Sequence, residues 1–123
     1  MANPFVHVEL NTTDLGKAKA FYGKLFEWKL DDVPLGSIPY TMIGVGQGTG
    51  GGMMQHTAPG QPSAWLPYVI VADIAAATEK AKSLGAKVAR DVTAVAEMGW
   101  MSIIVDPTGA TLGLWQAKMP LNP

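Results

Sequence analysis

The sequence contains no cysteine. Disulfides, zinc knuckles, thiol nucleophiles and iron–sulfur clusters are therefore excluded. Charge is also scarce: 15% of residues are charged, and nine Lys and Arg against ten Asp and Glu give a net charge of −1. Arg90 is the sole arginine. So few cations cannot build the basic surface that nucleic acid or an anionic membrane requires. No window approaches the roughly 18 apolar residues of a membrane span. The first apolar stretch, Phe5–Leu10, is short, has no positive flank and contains His7 and Glu9, unlike a signal-peptide core. The expectation is a cytoplasmic protein without nucleic-acid or membrane partners.

What is present points to a packed core. Apolar residues make up 48% of 123, enough for one compact domain that buries about two-thirds of its unfolded surface. An internal repeat organises it. Asp14-Leu15 and Asp73-Ile74 lie 59 positions apart. Apolar residues follow at Leu15, Ala18, Tyr22 and Leu25, then at Ile74, Ala77, Ala81 and Leu84. Steps of three, four and three trace one stripe of an amphipathic helix, and each Asp is suited to cap it. Gly85 stands where a left-handed helix terminator belongs.

Each helix is preceded by a strand-like run, Phe5–Leu10 or Trp65–Val71. Three more runs follow each helix: Trp28–Asp31, Tyr40–Val45 and Gly51–Gln55, then Ala86–Ala94, Trp100–Val105 and Thr111–Gln116. Asp106-Pro107-Thr108-Gly109 is a turn signal that should close a hairpin. The reading is an α+β fold of two βαβββ modules forming a cupped mixed sheet around a central cavity. It is a single domain over 1–123, with module 1 at about 4–56, a Pro- and Gly-rich linker at 57–63 and module 2 at about 64–117. One module alone would hold a marginal core. The chain is expected to act as a homodimer; the cup forms either within one chain or across that dimer, and its concave side is where a small organic ligand would sit.

The chain resembles the vicinal oxygen chelate superfamily, the group of glyoxalase I, the bleomycin- and fosfomycin-resistance proteins and the extradiol dioxygenases. The resemblance is carried by Val8-Glu9-Leu10-Asn11-Thr12-Thr13-Asp14-Leu15 and Ala20-Phe21-Tyr22-Gly23-Lys24-Leu25-Phe26-Glu27-Trp28. Asp106-Pro107-Thr108-Gly109-Ala110 and Leu112-Gly113-Leu114-Trp115-Gln116 complete it. It implies a metal ligand near the start of the first strand of each module and another on the last strand of each. His7 fills the first of these places. The counterpart in module 2 falls at or next to Pro67, and the last-strand places fall at Gly113 and near Gly52 or Met53. One ligand of four is too few for a lasting transition-metal site. The expectation is no cofactor; if a metal is present, it is a divalent ion at His7.

His7 and Glu9 share one face of the first strand and are the acid–base or ligand-binding candidates. Phe5, Met53, Trp65, Trp100 and Trp115 are the candidates for an apolar ligand wall, since Trp stacks on flat molecules and Met adapts its shape. His56 is a further histidine that could join His7, and Glu97 a loop carboxylate that could gate the cup. Gly46–Gly51 fits G-x-G-x-x-G, yet no helix pattern follows to receive a pyrophosphate. The function this predicts is small-molecule binding of the glyoxalase/bleomycin-resistance type without the usual catalytic metal. The alternative is a metal-dependent lyase, isomerase or dioxygenase related to lactoylglutathione lyase.

Overall fold

A computed structural model describes residues 2–56 and 60–118. Ten elements follow one another: β1 (Phe5–Thr12), α1 (Leu15–Leu25), β2 (Lys29–Leu35), β3 (Ile38–Gly44) and β4 (Gly51–Gln55), then β5 (Ala64–Ile70), α2 (Ile74–Ser83), β6 (Lys87–Val95), β7 (Gly99–Val105) and β8 (Thr111–Ala117). This is an α+β chain of two βαβββ modules, as the repeat predicts. The chain divides into two compact units. One holds Val6–Leu66; the other holds Pro67 onward with the N-terminal stretch up to Phe5. The division falls within β5. The expected linker at 57–63 lies partly, at 57–59, outside the described residues.

In the first unit the strands run in the order β2-β3-β4-β1. β1 and β4 are parallel, with Val8 opposite Gly51 and Thr12 opposite Gln55. β2/β3 and β3/β4 are antiparallel. The second unit repeats the plan as β5-β8-β7-β6, with β5/β8 parallel and the other pairs antiparallel. A parallel pair cannot be joined by a tight hairpin. The intervening helix and strands of each module supply the long connection.

The helices start where the sequence predicts. Asp14 accepts from the Lys17 N–H at 3.0 Å and Asp73 from the Ala76 N–H at 3.1 Å. A second cap was not read from the sequence. Gln55 Oε1 accepts from the Leu15 N–H, and Gln116 Oε1 from the Ile74 N–H, at 2.9 and 2.8 Å. Each glutamine sits on the last strand of its module and ties that strand to its helix. Gly85 has φ +102° and its N–H donates to the Lys82 carbonyl, ending α2. Asp106 closes the β7–β8 hairpin by accepting from the Thr108 hydroxyl and from the Thr108 and Ala110 N–H groups. Those bonds, led by the Thr108 hydroxyl, hold its carboxyl below the usual aspartate range.

Each helix packs its stripe on one face of its own sheet. Leu10, Ile43 and Met53 form the first core, with Leu15, Ala18, Tyr22 and Trp28 against them. Ile74, Ile104 and Leu114 form the second, with Ala77, Ala81 and Trp100 against them. These cores fix which face of every strand looks away from its helix.

Candidate functional site

Side chains alternate along β1. Leu10 lies in the core under α1, so His7 and Glu9 lie on the opposite face. Ile43 fixes β3 in the same way and leaves Tyr40 on the face of His7. There the three join. His7 Nε2 lies 2.7 Å from the Tyr40 hydroxyl, and that hydroxyl donates to Glu9 Oε1 at 2.9 Å. The His7 and Tyr40 rings are near parallel, with centroids 6.2 Å apart. Tyr40 itself is buried.

Tyr40 was not singled out from the sequence, because a lone tyrosine in a strand carries no local signal. What admits it is a glycine. Glu9 stands opposite Gly52 across the β1/β4 pair, and Met42 stands opposite Gly52 across β3/β4. A Cβ at Gly52 would overlap the Tyr40 ring and its hydroxyl. The missing side chain lets Tyr40 reach from β3 across β4 to β1. In the second unit Gly113 stands directly opposite Tyr68 on the neighbouring strand, and a Cβ there would overlap that ring.

These two glycines stand at or beside the places where the resemblance implies last-strand metal ligands. Tyrosine rings cover both. A carboxylate side chain fits at neither position without moving a tyrosine. Leu66, 59 positions after His7, and its neighbour Pro67 carry no donor side chain. Among the described residues no group of three or more His, Asp and Glu is placed to hold a metal ion. Within this unit His7 meets the Tyr40 phenol, which is hydrogen-bonded in turn to the Glu9 carboxylate. The residues present do not fit the family's metal site.

The other candidates fall in different surroundings. Met53 is fully buried in the α1 core. Trp100 packs against the α2 core. Trp65 meets Tyr22 and Trp28 edge to face, at 5.5 and 6.3 Å, in a cluster with Phe26 beside α1. Trp115 alternates with Leu114 and so lies on the face of β8 away from α2, over Gly99. Phe5 opens β1 and is exposed. Glu97 is exposed and paired with Lys118.

His56 does not join His7. It follows β4 one residue beyond the Thr12–Gln55 pair, six residues along the strands from the level of His7. That is about 20 Å at strand rise. Gly46 and Gly48 have φ of +91° and +103°, and β4 rather than a helix follows them. The nucleotide motif is therefore formal only. A groove of about 380 Å³ runs between α1 and the β2–β3 hairpin. Its charged groups are already matched, with Lys19 bonded to Asp32 and Thr41 to the same carboxylate.

Burial holds His7 below the ordinary histidine value, because removal from water disfavours the imidazolium. The sign of the consequence follows from linkage. Near pH 6.5 the unfolded chain takes up a proton that folded His7 resists. Stability is therefore intact above that pH and falls as pH drops toward the folded value. Urea midpoints should decline between pH 7.5 and 5.5 in the wild type and decline less in His7→Gln. Equal slopes in the two proteins would refute this.

The two βαβββ modules, each with its helix packed on one face of its own sheet, define the class of fold. The chain belongs to the Glyoxalase/Bleomycin resistance protein/Dioxygenase superfamily, whose model matches residues 5–114. CFP32 of Mycobacterium tuberculosis and of Mycobacterium bovis, provisionally named a glyoxylase, is 41% identical over 116 residues, 90% of this chain. That match is 44% of the relative, so the chain spans less than half the length of the curated relatives it matches. Among solved structures, methylmalonyl-CoA epimerase from Mycobacterium tuberculosis superposes with a TM-score of 0.71 at 15% identity, covering 94% of this chain and 88% of that one. The Mn(II)-bound glyoxalase from Novosphingobium aromaticivorans gives 0.61 at 18%, covering 96% and 42%. At these identities the likeness is one of fold. No helix among the described residues is long and apolar enough to cross a membrane.

Proposed function

We propose that this chain is a small-molecule-binding domain of the glyoxalase/bleomycin-resistance type that works without the family's metal. The observation that carries this is the His7–Tyr40–Glu9 chain over Gly52. It offers a fixed polar group on the sheet face away from α1, at the place where the family resemblance implies a metal ligand. A few placed polar groups within apolar surroundings are what small-ligand sites require. His7 and Glu9 are the groups that would orient a ligand or exchange a proton with it. Trp115, on the corresponding face of the second unit, is the aromatic most suited to stack on a flat ligand. We take the working form to be a cytoplasmic homodimer.

A second reading has one observation in its favour: His7 survives at the family's first ligand place, in a chain 41% identical to a protein provisionally named a glyoxylase. On that reading the domain is a metal-dependent lyase, isomerase or dioxygenase using His7 and Glu9. Two measurements separate the readings. Elemental analysis after purification without chelator should find no stoichiometric Ni, Zn, Mn or Fe. A thermal-shift screen of flat aromatic and amphipathic compounds should find ligands. One at a hundred times its dissociation constant adds about 2.7 kcal/mol, or about 10 °C for a chain this size, and Trp115→Ala should remove the shift. One equivalent of metal per chain, lost in His7→Ala, would replace the first reading by the second.

A further inference from the structure

We propose that Tyr40 is a positioning residue that sets the tautomer of His7 by taking its direction from Glu9. The inference rests on the reading of His7 and Glu9 as the polar groups of the site, and it concerns a residue neither motif nor repeat identifies. An ionised carboxylate only accepts hydrogen bonds, and a phenol has a single proton to give. That proton goes to Glu9 Oε1 at 2.9 Å. At 2.7 Å from His7 Nε2, the phenol oxygen can then act only as acceptor. Nε2 must therefore carry the ring proton, and in the neutral imidazole the lone pair is left at Nδ1. With Glu9 ionised, the order Nε2–H to Oη–H to Oε1 runs one way, because a carboxylate cannot donate.

The backbone holds this order in place. Glu9 and His7 stand two residues apart on one face of β1, and Tyr40 comes from β3, two strands away in the order β3-β4-β1. It crosses at Gly52, where any side chain would overlap its ring. Two functions are thus separable in one side chain. The ring covers Gly52; the hydroxyl transmits the choice of tautomer. Tyr40→Phe keeps the ring and deletes the hydroxyl. Glu9→Ala keeps both and removes the carboxylate that accepts the phenol proton. The phenol proton is then released to turn toward Nε2.

Imidazole nitrogen spectra test this, recorded at pH 8 on protein without added ligand or metal, with His56→Gln used for assignment. Wild-type His7 should show a protonated Nε2 and an unprotonated Nδ1. Tyr40→Phe should bring the two nitrogen shifts toward each other as the tautomers mix. Glu9→Ala should exchange them, with Nδ1 becoming the protonated nitrogen. A wild-type ring protonated at Nδ1 would overturn the proposal. So would unchanged spectra in both variants, which would leave Tyr40 as a filler over Gly52. If one variant fails to fold, the wild type and the other still decide. Because nothing is bound during the measurement, this result is independent of the metal and ligand assays. The tautomer assignment can fail while binding stands, and binding can fail while the tautomer assignment stands.

Discussion

Gly51→Ala is expected to cost about 3 kcal/mol or more, a large part of the 5–15 kcal/mol that holds a small domain folded. Gly51 pairs with Val8 in the parallel β1/β4 ladder, and a Cβ at this position would overlap the Val8 carbonyl oxygen. The obstacle is backbone, so no rotamer change relieves it. β4 must move away from β1 and give up the ladder, including the bond from the Val8 N–H to the Gly50 carbonyl at 3.1 Å. Gly48→Ala is the control. Its added methyl meets nothing, and the cost there is only that of a side chain at φ +103°, about 1–2 kcal/mol. Urea denaturation should show the Gly51 midpoint well below the Gly48 midpoint at equal m-value. Equal midpoints would mean that β1 and β4 are not held at this spacing.

The same glycines explain which parts of the molecule could be read from the sequence. Both helices, the caps at Asp14 and Asp73 and the Asp106 hairpin rest on local chemistry, and a local pattern found them. The strand-like runs that flank the 59-residue repeat located every strand with ends shifted by at most a few residues, because period and turn residues are written in the chain. The module order followed from the same repeat. Tyr40 was not legible. Its role depends on Gly52 being opposite Glu9, a pairing between residues 43 positions apart. The caps made by Gln55 and Gln116 were missed for a like reason, since they span 40 and 42 positions. One signal was available: both glutamines stand three residues after the paired glycines, Gly52 and Gly113. His7 and Glu9 were legible as a pair because alternation on one strand is local. Their bridging hydroxyl was not.

Met53 is the residue for which the distinction between core and binding surface has its largest measurable effect. From the sequence it was a candidate for the ligand wall, as a soft side chain in a Gly-rich strand. In the fold, alternation along β4 sends Gly51, Met53 and Gln55 toward α1, as the Gln55 cap on Leu15 requires. Gly52 and Met54 face the other way. Met53 is fully buried between Leu10 and Ile43. Met53→Ala therefore leaves a cavity under the helix rather than a gap in a binding surface, and is expected to cost about 2–5 kcal/mol. Trp115, on a face away from its helix, should behave in the opposite way. Its truncation should remove the thermal shift produced by an aromatic ligand. Met53→Ala should lower the midpoint sharply and keep the ligand's increment on top of it. A Met53→Ala protein with an unchanged midpoint and no ligand shift would return Met53 to the binding surface. It would also mean that β4 is turned by one residue, exchanging Gly52 with Met53 and removing the opening through which Tyr40 reaches His7 and Glu9.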